Sequence, residues 1–267
     1  MEILGFFLAA LVGISLGIIG GGGSILTVPI LVYVLGVNPL LATSYSLFIV
    51  GSTSMVGAAN SYRKGLVNIK TALLFGISSI VTVYFTRKII MPKIPSVIFS
   101  NEHILITQSM AIMLLFAVLM LLASVAMIKK SKMNLVTGTA VTGNDHHTTK
   151  LLFYGVMIGL VTGLLGAGGG FLIIPVLVIL LKMPMKQAIG TSLLIIALNS
   201  MIGFAGDAGH FIIDWKLLLA ITSMAVVGIF IGGYLGRKID GNKLKKTFGW
   251  FVLLMGVYII IKETILK

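Results

Sequence analysis

Apolar residues fill the chain in long blocks, with polar residues in short gaps between them. Six blocks read as helices over 39–59, 68–88, 105–128, 186–205, 215–236 and 247–264, of the length that crosses a hydrocarbon layer about 30 Å thick. Two further blocks differ. Residues 3–35 are apolar apart from their glycines, and as one helix they would reach about 50 Å, well beyond that layer. The run Gly20-Gly21-Gly22-Gly23 marks where this helix must break, since each glycine costs a helix about 1 kcal/mol. The pattern predicts segments 3–19 and 24–35, the second too short to span at about 18 Å. The block over 151–182 breaks in the same way at Gly166-Ala167-Gly168-Gly169-Gly170, into segments 151–165 and 171–182.

The two halves of the chain are copies of one plan. Gly13, Gly17, Gly20, Gly22, Gly23, Pro29, Ala42, Ser46, Ser54, Gly57 and Lys70 recur as Gly159, Gly163, Gly166, Gly168, Gly169, Pro175, Ala188, Ser192, Ser200, Gly203 and Lys216, at a constant offset of 146 residues. Arg87-Lys88-Ile89 recurs as Arg237-Lys238-Ile239, with four residues inserted. The organisation is a first membrane repeat over 1–128, a polar linker over 129–150 and a second repeat over 151–267. Within the linker, Asn144-Asp145-His146-His147 reads as solvated loop, because two adjacent histidines lack spaced partner ligands.

Composition sharpens the class. The chain has 267 residues, of which 58% are hydrophobic and 10% charged, and its mean hydropathy is +1.12. A water-soluble fold could not cover that much apolar surface, so the pattern predicts an all-α polytopic membrane protein. There is no cysteine, which excludes disulfides and thiolate metal sites. The start Met1-Glu2-Ile3 lacks a basic region, so it reads as the first membrane segment rather than a signal peptide. The net charge of +13 is expected in cytoplasmic loops rather than on an anion-binding surface.

The Lys and Arg positions choose between two topologies. If both glycine-broken blocks cross the membrane, eight spans result and the basic residues divide 10 to 10. If each block is a re-entrant hairpin that returns to its own side, each half crosses three times and the halves are inverted. The division then becomes 14 inside to 6 outside, as the positive-inside rule favours. This arrangement places loops 61–67 and 238–246 in the cytoplasm and both termini outside.

Non-helical backbone at membrane depth is tolerated only where it is buried in protein or lines a wet cavity. Paired breaks in matching halves point to a transporter binding site. A short helix starting just after each break would offer free N–H groups and about half a positive charge. Two such ends meeting would hold a small anion. The candidate substrate-binding residues are therefore Gly20, Gly21, Gly22, Gly23, Ser24 and Thr27 in the first copy, and Gly166, Gly168, Gly169 and Gly170 in the second. Ser46 and Asn60 on the 39–59 helix and its end, with Thr191, Ser192 and Asn199 on the 186–205 helix, can complete the shell. Thr43, Ser44, Ser52, Thr53 and Ser200 belong to the same polar set. Small residues also serve close helix packing, the reading preferred for Gly57, Gly203, Gly228, Gly232 and Gly233. Asp207 is a candidate proton relay, set against the plainer reading of a solvated interfacial carboxylate. No fixed cation is expected at the site, so attraction would come from helix ends alone. Neither a metal nor a cofactor is expected. No His lies within a span to activate Ser24, and no metalloprotease or P-loop motif is present, so no enzyme activity is expected.

Gly17–Ser24 and Gly163–Gly170, each followed by a proline and then a Thr/Ser-bearing helix, resemble the sulfite exporter TauE/SafE family over nearly the whole chain. The resemblance implies a bacterial inner-membrane carrier exporting sulfite, sulfonates or related sulfur compounds. Gly21 stands where the second copy has Ala167, and Ser24 where it has Gly170, leaving open which break contacts substrate more. The implied partners are a small anion and the bilayer, with no nucleic acid. Two other classes remain: a non-transporting membrane scaffold or receptor, and a cation importer or channel using exposed carbonyls.

Overall fold

The computed structural model describes residues 2–101, 104–128, 145–207, 209–235 and 241–264. Most of the polar linker (129–144) and the Arg237-Lys238-Ile239 recurrence lie outside the described residues. Helix α1 (Glu2–Ile19) runs through a 3-10 segment (Gly20–Leu26) into α2 (Thr27–Tyr33), and α3 (Pro39–Arg63) follows. Helix α4 (Ile69–Phe85) continues through a π-turn (Thr86–Ile90) into α5 (Met91–Lys93). A hairpin of β1 (Val97–Asn101) and β2 (Ile104–Thr107) leads to α6 (Gln108–Ile128). The second half holds α7 (Asp145–Leu165), α8 (Gly170–Leu180), α9 (Met185–Gly206), α10 (Trp215–Leu235) and α11 (Gly241–Thr264).

Among the described residues, 5 helices are long and apolar enough to cross a membrane: Pro39–Arg63, Ile69–Lys93, Gln108–Val125, Met185–Gly206 and Trp215–Leu235. The outer faces are apolar, with Phe7, Leu73, Ile77, Leu122, Phe153, Phe230 and Leu254 each more than half exposed. Such a surface suits lipid and not water. This is a multi-pass, helical membrane protein.

Local signals place the helix starts. Asn38 caps α3 by accepting from the Leu40 N–H at 3.0 Å, with Pro39 in the first turn. Asn68 caps α4 and Asp214 caps α10 in the same manner, at positions 146 residues apart. The hairpin corrects the expected helix over 105–128. Residues 104–107 are β-branched or apolar and pair with 97–101 instead. Helix α6 begins at Gln108, whose backbone N–H donates to Ser96 O at 3.0 Å and whose side-chain amide donates to Met91 O at 3.1 Å.

The packing exchanges partners between the halves. Helix α1 lies on α10 as α7 lies on α4, α3 crosses α9 at the centre, and α6 pairs with α11. Small residues let the backbones approach. A Cβ on Gly13 would fall on Ala225 O, one on Gly228 on Ala10 O, and one on Gly232 on Ile14 O. Gly155 and Gly159 meet Ser78 and Ser79 of α4 in the equivalent contact. Gly57 and Gly203 abut only side chains, Ile229 and Leu193 in one case and Val83 and Leu47 in the other. A Cβ on Gly233 would meet Asn60 Nδ2 at 3.9 Å, while the Gly233 backbone N would lie 2.7 Å from a Cβ on Gly17.

Gly5, near the start of α1, lies against the side chain of Leu35, just past the end of α2. A straight 30-residue helix would hold these positions about 45 Å apart. Leu151 and Ile158 of α7 share one apolar cluster with Ile173 and Leu177 of α8.

Candidate functional site

The two breaks meet in the interior, backbone against backbone. A Cβ on Gly21 would fall on the Gly170 Cα, and a Cβ on Gly170 would fall on the Gly21 backbone. The breaks differ in form. In the second, Gly166, Gly168 and Gly169 all have φ near +68° (67°, 68° and 69°), a region that glycine enters without penalty. Helix α8 then starts at Gly170. In the first, only Gly20 is left-handed, at φ 73°. The chain stays wound as a 3-10 segment, Ser24 Oγ donates to Gly21 O at 2.8 Å, and the Thr27 N–H donates to Ser24 O. The expected helix start at 24 is therefore displaced to Thr27. The first break offers no bare helix N-terminus, because 3-10 hydrogen bonds consume its N–H groups. Gly22 lies within this 3-10 run, and its surroundings are outside the described set.

The surroundings of the breaks are also unequal. Gly20 faces the apolar Ile189 and Ile174. Its twin, Gly166, faces Thr43 and the guanidinium of Arg87, and a Cβ there would lie 2.7 Å from Arg87 Nη2. Arg87 is 1% exposed. Its Nη1 donates to Asp207 Oδ2 at 3.1 Å and to Thr43 Oγ1 at 3.0 Å, while the Thr43 hydroxyl donates onward to Leu40 O at 2.7 Å. Two sequence expectations fail here. A fixed cation does reach the site, and Asp207, 5% exposed, is a buried ion-pair partner rather than a solvated interfacial carboxylate. The π-turn turns Arg87 inward while Lys88 stays exposed, with its Nζ donating to Tyr84 OH at 2.8 Å.

A signal for Arg87 was present in the repeat. Its dipeptide recurs at Arg237-Lys238 with four residues inserted, so by the common 146-residue frame Arg87 aligns with Gly233, about one helical turn further into its span. An arginine within a candidate span, here Ile69–Lys93, is costly to insert and marks a functional site by default.

Other predicted residues divide between the breaks and the frame. Ser200 Oγ lies beside Gly168, at 3.0 Å from an ideal Cβ, and Thr162 Oγ1 lies beside Gly169. The hydroxyls of Thr27, Ser46, Ser54, Thr162 and Ser200 are buried with no partner among the described residues, while Ser44 lies within hydrogen-bonding reach of Asp207. Asn199 donates through Nδ2 to Ser79 Oγ at 2.6 Å, and its Oδ1 is unpartnered. Thr191 instead ties helices together, accepting from the Asn68 N–H at 2.9 Å. Ser192 donates to Ile189 O within its own helix at 2.8 Å. Asn60 neighbours Gly233 of α10. A cleft of about 200 Å³ leads to the ion pair, lined by Leu40, Arg87, Met91, Pro92, Ile94, Gln108, Asp207, His210 and Phe211.

The sulfite exporter TauE/SafE family matches this chain over residues 5–259. The chain belongs to that family. It is 29% identical to a probable membrane transporter protein of Xylella fastidiosa (strain 9a5c), over 94% of this chain and 91% of the relative. It is 25% identical to the probable membrane transporter protein YunE of Bacillus subtilis (strain 168), over 97% and 96% respectively. The probable membrane transporter protein MJ0441 of Methanocaldococcus jannaschii is 34% identical over a shorter stretch, 40% of this chain and 43% of its own. No solved structure matches. The family match spans both glycine breaks and Arg87.

Proposed function

We propose that this TauE/SafE protein exports a small anion across the bacterial inner membrane, most simply sulfite, an organosulfonate or a related sulfur oxyanion. The observation that carries this reading is the meeting of the two glycine breaks inside the protein, with the Arg87 guanidinium against Gly166. Non-helical backbone at depth is tolerated where it is buried in protein or lines a wet cavity, and the open N–H groups of a buried guanidinium favour anions over cations. An anion leaving a cell at −100 mV gains about 2.3 kcal/mol per charge, so outward carriage needs no further energy source.

The inverted, re-entrant arrangement rests on three contacts. Gly5 meets Leu35, so the first block returns towards its origin. Thr191, near the start of α9, bonds Asn68, just before α4. The cleft gathers Leu40, Gln108 and His210 at one end of the bundle. With eight simple spans, the connections carrying Asn68 and Thr191 would lie on opposite faces, as would Leu40 and His210. Burial of Arg87 also removes one charge from the outer side, which strengthens the inside bias. Cysteines introduced singly at Lys64, Lys186 and His210 in this cysteine-free chain test the arrangement. An impermeant thiol reagent should reach positions 64 and 186 from one side and position 210 from the other. Labelling of 64 and 210 from the same face would require eight spans.

Flux in proteoliposomes tests the function. Sulfite, thiosulfate, sulfate, short sulfonates and acetate form the panel, with a potassium diffusion potential imposed in the presence and absence of a proton gradient. Outward anion flux driven by an interior-negative potential is expected. Absence of flux for the whole panel would indicate a scaffold, and transport of sodium or potassium itself would indicate a cation pathway.

A further inference from the structure

Arg87 uses its guanidinium incompletely. Both of its side-chain hydrogen bonds, to Asp207 and Thr43, leave from Nη1. Nε and Nη2 are buried and have no acceptor among the described residues. These two nitrogens form one edge of the planar group, with parallel N–H bonds spaced to grip two oxygens of one anion. A buried donor left unsatisfied costs more than a neutral hydrogen bond returns, and here two sit side by side on a charged group. Gly166 packs against the same group without a Cβ, so the second glycine break and the open edge share one small volume. The twin position of Thr43 is Ile189, so the first break has no such partner there.

The geometry points to the Nε/Nη2 edge of Arg87 as a bidentate docking point for an oxyanion, with Asp207 and Thr43 as the positioning residues that hold the guanidinium through Nη1. The ligand class is any anion presenting two oxygens on one centre: sulfite, sulfonate or carboxylate. A monatomic anion can accept from both N–H groups only at one shared point, with both bonds bent, and so gains less from the edge than an oxyanion. This inference deepens the anion-export reading and rests on it. It names the residue that selects the cargo and assigns the asymmetry between the breaks to the second one.

The test is made on the full-length protein in proteoliposomes, with radiolabelled sulfite as the probe. Methanesulfonate and acetate should compete with sulfite at least about 10-fold better than chloride or bromide, as the loss of one charge-assisted hydrogen bond implies. Arg87→Lys keeps the charge but not the planar edge, so sulfite flux should fall about 10- to 100-fold and the preference over halides should disappear. A merely structural arginine would lower flux without changing that preference. If Arg87→Lys does not insert, the pair Arg87→Gln with Asp207→Asn, which leaves no lone charge, carries the test, and persistent sulfite flux in it would overturn the inference. Equal competition by chloride in the unaltered protein would do the same. If the unaltered protein carries no anion at all, the export reading itself fails. If it carries anions while Arg87→Lys keeps flux and preference, only the assignment to Arg87 fails.

Discussion

Asp207→Ala should be the most destabilising single change at the site, costing about 3–5 kcal/mol, because it strands a buried guanidinium with a hydroxyl as its remaining partner. The carboxylate and the guanidinium are 5% and 1% exposed, so the only water within reach of the stranded group is what the adjoining cleft admits. A buried pair is not itself a large source of stability, since desolvation offsets most of the attraction. The expected signature is therefore asymmetric. Arg87→Met combined with Asp207→Leu removes both charges and should recover most of the loss. Denaturant-induced unfolding in detergent, followed through tryptophan fluorescence, measures all three proteins. A cost below about 1 kcal/mol for Asp207→Ala would mean that Arg87 finds another acceptor, contrary to the geometry at its Nη1.

Gly170→Ala should abolish transport while the protein still inserts. The added methyl would fall on the backbone of Gly21, so the two breaks must move apart. Neither glycine has a left-handed φ, so the effect isolates close approach from backbone strain. The control is Gly36→Asn. Gly36 has φ 67° but nothing within 4 Å of an ideal Cβ, and asparagine tolerates that conformation. It should transport within about twofold of the unaltered protein, as expected of a surface change worth under about 0.5 kcal/mol. Flux in the two variants, with insertion checked by size-exclusion chromatography, decides the matter. Near-normal flux in Gly170→Ala would place the pathway away from the meeting of the breaks, towards the unpartnered hydroxyls of α3 and α9.

The predicted spans and the observed helices agree closely for 39–59, 186–205 and 215–236, which correspond to Pro39–Arg63, Met185–Gly206 and Trp215–Leu235. These signals are local: apolar length, a capping Asn or Asp, and a polar gap. The breaks were legible for the same reason, because four glycines in a run of four, or in a run of five as at 166–170, weaken an α-helix whatever surrounds them. The difference between a 3-10 first break and a left-handed second break was not legible. It depends on what each glycine touches, Ile189 and Ile174 for Gly20 but Thr43 and Arg87 for Gly166.

Membrane class, most helix positions, the 146-residue repeat and the location of both breaks were set by sequence alone, because each follows from residues within one or two turns of each other or from a fixed offset. The role of Arg87 was decided only by the tertiary structure. Next to Lys88 at the end of an apolar run it reads as an ordinary interfacial charge, and its partner Asp207 lies 120 residues away. A charge at a helix end can be solvated or buried, and local sequence is the same in both cases. What selects burial is a counter-charge, a hydroxyl and a glycine surface delivered by three other elements, α9, α3 and the second break. Only the packed fold brings these to one place.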